Sequence, residues 1–187
     1  MISREKALQI LKEEGCEEKV IAHCCVVSEV AVCLARKNIE AGRDVNVEFV
    51  EIGGLLHDLG RARSHGMDHA VIGAELAQKY NLDDAILKII KKHIGAGLTP
   101  EEANYFGLPA DDYMPRTWEE KIVAHADNIV KGDEVISLKK RLKILKERGV
   151  DKESRKRVKE LAHEVDFETS DEMDDRIKDK SPVFIKK

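Results

Sequence analysis

Apolar residues recur at helical spacing along almost the whole chain, and glycines and capping residues separate the stripes. Val20, Cys24, Val27, Val30, Ala31 and Leu34 mark one stripe; Ile86, Ile89 and Ile90 mark another; Val123, Ala126 and Val130 mark a third. No stretch shows the period-two alternation of a half-buried strand. The spacing therefore predicts an all-α fold.

The boundaries can be read from the caps. Ser3 opens a short helix that stops near Gly15, and a long one follows from about Glu17 to Ala41, closed by Gly42. A third runs from Val47 to His57. Its adjacent glycines, Gly53 and Gly54, each cost roughly 1 kcal/mol relative to alanine, and the return expected is close approach of a neighbouring helix. Asp68 opens a helix to about Tyr80, and Asp83 opens the next, which ends at Gly95. Thr99-Pro100-Glu101-Glu102 combines a capping box with proline at the first helical position. Thr117 opens a further long helix that Gly132 interrupts. Charged helices are expected up to Arg148 and from Lys152 to Val165.

A chain of 187 residues suits one domain with an appendage. Residues 1–132 are expected to form the core and residues 133–187 a charged helical extension. The net charge of −4 gives no general pull toward nucleic acid or membrane. No uncharged apolar run approaches a membrane span, and the N-terminal residues lack a signal-peptide pattern. Cys16, Cys24, Cys25 and Cys33 have no Cys-x-x-Cys spacing and read as reduced thiols. A cytoplasmic protein is the expectation. The basic runs Lys139-Lys140-Arg141 and Arg155-Lys156-Arg157 are interrupted by acids and lack interleaved aromatics. They read as solvated helical faces rather than a nucleic-acid patch. The terminal Val183-Phe184-Ile185 is expected to dock on the domain or on a second copy, as in a homodimer.

The chemistry centres on Ile52-Gly53-Gly54-Leu55-Leu56-His57-Asp58-Leu59-Gly60, an apolar helix running into an imidazole and a carboxylate. Alone, such a pair is a common helix end. However, His23, His69, His93 and Asp127 each fall in the apolar stripe of a different predicted helix. Each buried polar group left without a partner costs about 1–3 kcal/mol. Shared metal ions would satisfy all of them together.

The order His23, His57-Asp58, Asp127 resembles the HD superfamily of metal-dependent phosphohydrolases. His57-Asp58-Leu59-Gly60 is similar to its His-Asp-Ile-Gly motif, and His69-Ala70-Val71-Ile72-Gly73-Ala74-Glu75 to the His-x-x-x-Gly-Ala-Glu segment of HDIG members. Lys92-His93-Ile94-Gly95 stands where those members place their next histidine. The resemblance covers about Glu17 to Lys131. It implies a helical bundle in which His23, His57, Asp58 and Asp127 hold one metal. Asp58 would bridge to a second metal on His69 and His93. The implied cofactor is one or two transition-metal ions, divalent or mixed-valence: iron, manganese, zinc or nickel.

The implied reaction is hydrolysis of a nucleotide or other small phosphoester, with metal-bound hydroxide as nucleophile. Asp58 carries the site, and Arg61 and Lys92 are the candidates to clamp phosphate. Arg63 and Lys131 are weaker ones. His65 is expected near the entrance, His125 to be structural or exposed, and His163 to be solvated. The absence of a Gly-Tyr-Pro signature and of paired histidines at His93 speaks against a cyclic-dinucleotide phosphodiesterase. Two alternatives stay open: an HD-type di-iron oxygenase, and a non-catalytic module that keeps the site for a nucleotide ligand.

Overall fold

The structure, a computed structural model, describes residues 2–166. Its elements are α1 (Arg4–Glu13), α2 (Glu18–Glu40), α3 (Val47–Leu56), a 3-10 turn (Leu59–Ala62), α4 (His69–Gln78), α5 (Asp84–Lys92), α6 (Pro100–Tyr105), α7 (Trp118–Asn128), β1 (Val130–Lys131), β2 (Glu134–Val135), α8 (Leu138–Glu147) and α9 (Lys152–Val165). The fold is all-α, and its caps are mostly those the sequence announces. The side chains of Ser3, Asp83, Thr99, Thr117 and Asp151 each accept a hydrogen bond from a backbone N–H in the first helical turn. Asp68 stands at the start of α4 but makes no such bond. Its carboxylate accepts from the Ser64 hydroxyl instead.

Helices α2 and α3 are the spine. One apolar cluster joins the N-terminal half of α2 to α1, α3, α4 and α5 through Ile10, Leu11, Val20, Cys24, Leu55, Leu56, Leu76 and Ile90. A second joins the C-terminal half of α2 to α7 and α9 through Val27, Ala31, Leu34, Ile122, Val123, Val158 and Leu161. Gly54 is what lets the spine form. A Cβ there would lie 2.9 Å from the Ser28 Cα on α2, a separation that carbon atoms do not tolerate. The close approach expected of the glycine pair is present, and it draws the His57 end of α3 inward.

The sequence pattern missed one small element. Helix α7 ends at Asn128, and the chain then makes a two-stranded antiparallel hairpin, with Val130 opposite Val135 and Lys131 opposite Glu134. Strands of two residues are too short to show alternation. Gly132, at φ 64°, forms their turn in a conformation that glycine adopts at little cost. The hairpin redirects the chain so that α8 and α9 lie back on the core, with Leu138, Leu142 and Leu145 packed on the second cluster. The Val183-Phe184-Ile185 segment lies outside the described residues.

Candidate metal centre

Four helix ends meet at one point. His57 follows the last residue of α3, His69 is the first of α4, His93 follows the last of α5, and Asp127 sits in the last turn of α7. His23 reaches the same point from the second turn of α2. Gly60 permits the tight packing here: a Cβ on it would collide with the backbone carbonyl of His69. The 3-10 turn therefore lies directly on α4 and brings Asp58 against His69.

The donor atoms are crowded. The His23 Nε2 lies 3.0 Å from Asp127 Oδ1 and 4.0 Å from Asp58 Oδ2. The His57 Nε2 lies 3.7 Å from each of those two oxygens. On the other side of Asp58, Oδ1 is 3.1 Å from His69 Nε2 and 3.6 Å from His93 Nε2. Asp58 thus presents one oxygen to His23 and His57 and the other to His69 and His93. Three overlapping triads form from these residues, namely His23 with His57 and Asp58, His57 with His93 and Asp127, and Asp58 with His69 and His93. Within each triad the ligand atoms lie within 4.8 Å of one another.

The second nitrogen of every ring is anchored to backbone. His23 Nδ1 lies 2.7 Å from the Gly132 carbonyl, His57 Nδ1 2.7 Å from that of Gly54, His69 Nδ1 2.6 Å from that of Gly66, and His93 Nδ1 2.7 Å from that of Ile90. A carbonyl only accepts, so each Nδ1 carries a proton, and each ring in its neutral form presents an Nε2 lone pair to the centre. Such outer contacts orient and tune metal-binding imidazoles. Sequence reading could not find these carbonyls, because a carbonyl has no residue signature.

The arrangement fits a metal on two observations. His57 Nε2 is buried and has no hydrogen-bond partner among the described residues. His69 Nε2 and His93 Nε2 face each other at 3.0 Å, where two lone pairs repel unless a cation lies between them or one ring takes a second proton. The titration behaviour agrees. Burial pushes His57 down to about 4, so its ring is neutral and ready to ligate. Burial also opposes ionisation of Asp58, but the rings of His57, His69 and His93 outweigh it and hold the carboxyl well below the usual carboxylate range. Asp127 is likewise held low, against burial, chiefly by His23 and His57. Burial works against protonation of His23 and His93, but Asp127 and Asp58 respectively outweigh it and raise both. An anionic pair amid four imidazoles is a cation-binding set of nitrogen and oxygen donors, which suits iron, manganese, zinc or nickel.

The other residues singled out by the sequence are placed differently from one another. Arg61 donates from Nε to Asp58 Oδ1 at 3.1 Å and from Nη1 to the His65 carbonyl at 2.9 Å, so it braces the Asp58 carboxylate. Lys92, the other expected phosphate clamp, is placed among acids. Its ammonium is buried and lies 3.3 Å from Glu120 and 3.4 Å from Asp112, so acidic partners already occupy it. Arg63 pairs with Glu14, and Lys131 is exposed in the hairpin. His65 is exposed beside Glu17, and His163 is exposed on α9. His125 is fully buried, with neither ring nitrogen bonded. Its place on α7 turns it away from Asp127 into the core.

Comparison with known proteins gives the same family reading. Residues 20–132 match the family model described as "HD domain". An uncharacterized protein of Methanocaldococcus jannaschii is 51% identical over 134 residues, which is 72% of this chain and 79% of that protein. A tRNA (cytidine(56)-2'-O)-methyltransferase of Picrophilus torridus is 41% identical over 175 residues. The match covers 94% of this chain and 50% of that protein, so the chain spans about half the length of that relative. Among solved structures, the HD domain of the L. monocytogenes phosphodiesterase PgpH in complex with cyclic-di-AMP superposes with a TM-score of 0.54 at 17% identity, covering 83% of this chain and 92% of that one. That likeness is one of fold.

Proposed function

Because the chain belongs to the HD-domain family, a superfamily of phosphohydrolases, we propose that it hydrolyses a phosphoester or phosphoanhydride bond in a nucleotide or similarly small phosphorylated compound. The observation that carries this reading is the convergence of four Nε2 lone pairs and two carboxylates on one point, with every Nδ1 tied to a carbonyl. His23, His57, Asp58 and Asp127 would hold a first ion, and Asp58, His69 and His93 a second. Such ions lower the pKa of a bound water and neutralise charge on a phosphoryl group in the transition state.

The remaining roles belong to the chain itself. The four backbone carbonyls fix the tautomers, so the imidazoles meet a cation without a proton to lose. Arg61 holds Asp58 in the orientation that faces both sets of histidines, and its guanidinium lies at the rim, where a phosphate oxygen could reach it. Lys92 receives no substrate role in this reading.

A second reading concerns substrate size. A tRNA (cytidine(56)-2'-O)-methyltransferase is 41% identical over 94% of this chain, which adds an RNA phosphodiester to the substrates worth testing. The screen should therefore hold short RNAs and cyclic dinucleotides beside nucleoside phosphates and simple phosphoesters.

The test is metal analysis of aerobically and anaerobically purified protein, followed by that screen with each metal found. Metal bound at one or two ions per chain with turnover of a phosphorylated compound is the expected result. Stoichiometric metal with tight nucleotide binding but no turnover would instead favour the regulatory module. Oxygen-dependent turnover with iron would favour the oxygenase.

A further inference from the structure

The four imidazoles of the centre are not held alike. His57, His69 and His93 each donate from Nδ1 to a carbonyl three residues earlier in the chain, those of Gly54, Gly66 and Ile90. Their side chains are only 0%, 3% and 2% exposed, so packing by itself limits rotation of the rings. His23 differs on both counts. Its side chain is 14% exposed, and those of Asp58 and Asp127 are 12% and 18% exposed, so the centre opens to solvent on this side. Its Nδ1 partner, the Gly132 carbonyl at 2.7 Å, stands 109 residues away in sequence.

Gly132 lies at the tip of the hairpin. The base is firm: Val130 and Ile136 are buried, the Ile136 N–H donates to the Ile129 carbonyl at 2.8 Å, and β1 packs against α2 and α7. The tip residues Lys131, Gly132, Asp133 and Glu134 are exposed. In the two-residue loop φ is positive at Gly132 but not at Asp133, the pattern of a type II′ turn with glycine at its first central position. A Cβ on Gly132 would meet nothing within 4 Å. The glycine therefore serves the conformation of the turn and not close packing. That conformation fixes the plane of the peptide between Gly132 and Asp133, and with it the direction of the Gly132 carbonyl. A type I′ turn would close the same hairpin with this peptide turned over.

We propose that Gly132 is a positioning residue of the metal centre. Its carbonyl, aimed by the turn, holds the partly open His23 ring with Nε2 toward Asp127 Oδ1, 3.0 Å away, and so sets the affinity for the first ion. This rests on the metal-centre reading that underlies the proposed function. His69 and His93, assigned to the second ion, are anchored at Gly66 and Ile90, so that ion is independent of the turn. The hairpin tip thus governs the ion on the open side of the centre, where a phosphate would arrive.

The test compares the full chain in wild-type form, with Gly132→Asn and Asp133→Gly combined, and with Asp133→Gly alone. Asn-Gly favours the type I′ turn, so the combined variant keeps a hairpin but reverses the carbonyl. The single change controls for the lost charge at the tip. Bound manganese per chain is measured against free manganese by equilibrium dialysis, with melting temperature alongside. The combined variant is expected to weaken one ion at least about tenfold, the scale set by contacts that orient a metal-binding imidazole. The other ion should hold, and the melting temperature should stay within about 4 °C of wild type. Asp133→Gly alone should leave both ions unchanged. Two ions bound as tightly in the combined variant as in wild type overturn the proposal. So does equal weakening of both ions, or the same loss in Asp133→Gly alone, since neither outcome singles out the carbonyl. If wild type holds two ions and the variant loses one, but no phosphorylated compound is turned over, the positioning role stands and the phosphohydrolase reading fails. If wild type binds no manganese or other transition metal, the metal-centre reading fails and this assignment with it.

Discussion

His69 Nε2 and His93 Nε2 face each other at 3.0 Å while each ring donates its Nδ1 proton to a backbone carbonyl. Two neutral rings in that arrangement repel, and a cation between them removes the repulsion. We therefore expect His69→Ala and His93→Ala each to remove one ion per chain and leave the other on His23, His57, Asp58 and Asp127. Metal counted by plasma mass spectrometry checks this. Full two-ion occupancy in either variant would show that these histidines are not ligands.

Asp58 is the residue on which both halves of the centre depend, because its two oxygens face different histidine pairs. Asp58→Ala should lower metal binding and turnover by more than about a hundredfold, since changes merely adjacent to a ligand set already cost ten- to a hundredfold. His125→Leu is the matched control on α7. It removes a buried ring whose two nitrogens are both unbonded, so metal content should hold and stability should rise by about 1–2 kcal/mol. Full activity in Asp58→Ala would reject the site.

Lys92 and Glu120 form a buried ion pair between the end of α5 and the start of α7, and Glu120 also accepts from the Arg116 and Thr117 backbone. Removing one member leaves the other charged and uncompensated. Lys92→Met should cost roughly 3 kcal/mol of stability, while Lys92→Met with Glu120→Gln together should cost less than the sum of the two single changes. Denaturant titration of the four proteins reads the coupling. Strict additivity would mean that the pair does not interact.

Glu102 ties α6 to α9 by accepting from Arg157 at 2.6 Å and from Ser154 at 2.7 Å. Burial works against its ionisation, but Arg157 and Ser154 prevail and lower its pKa below the ordinary 4.5. A lowered carboxyl pKa contributes stability that is fully present above the ordinary value and is lost as pH falls through the folded one. The melting-temperature gap between wild type and Glu102→Gln should therefore be constant above about pH 4.5 and close in more acid solution. A gap that widens on acidification would reverse the assignment.

The helices were legible because their determinants are local. Thr99 and Thr117 open capping boxes within four residues of themselves, and the stripes on α5 and α7 repeat at helical spacing. Gly54 could be read as a site of close approach but not assigned its partner, since Ser28 stands far from it in sequence. The hairpin at Val130–Val135 was invisible because two residues per strand carry no period. The partners of Lys92 are hidden from the sequence for a related reason. Its neighbour in sequence is a histidine of the centre, but the carboxylates that hold it lie on the loop before α7 and on α7 itself.

By itself the order of residues determined that this chain is helical, where most helices begin and end, and which imidazoles and carboxylates lie on inward faces. Those properties follow from hydrogen bonds and side-chain spacing within a few residues. Only the packed fold decided how those groups stand toward one another: that Asp58 divides its oxygens between two histidine pairs, and that Gly54, Gly66, Ile90 and Gly132 offer carbonyls to the four rings. Each of those relationships joins positions that are distant in the chain or depends on backbone atoms that every residue possesses. They arise when burial of the apolar faces brings the helix ends together.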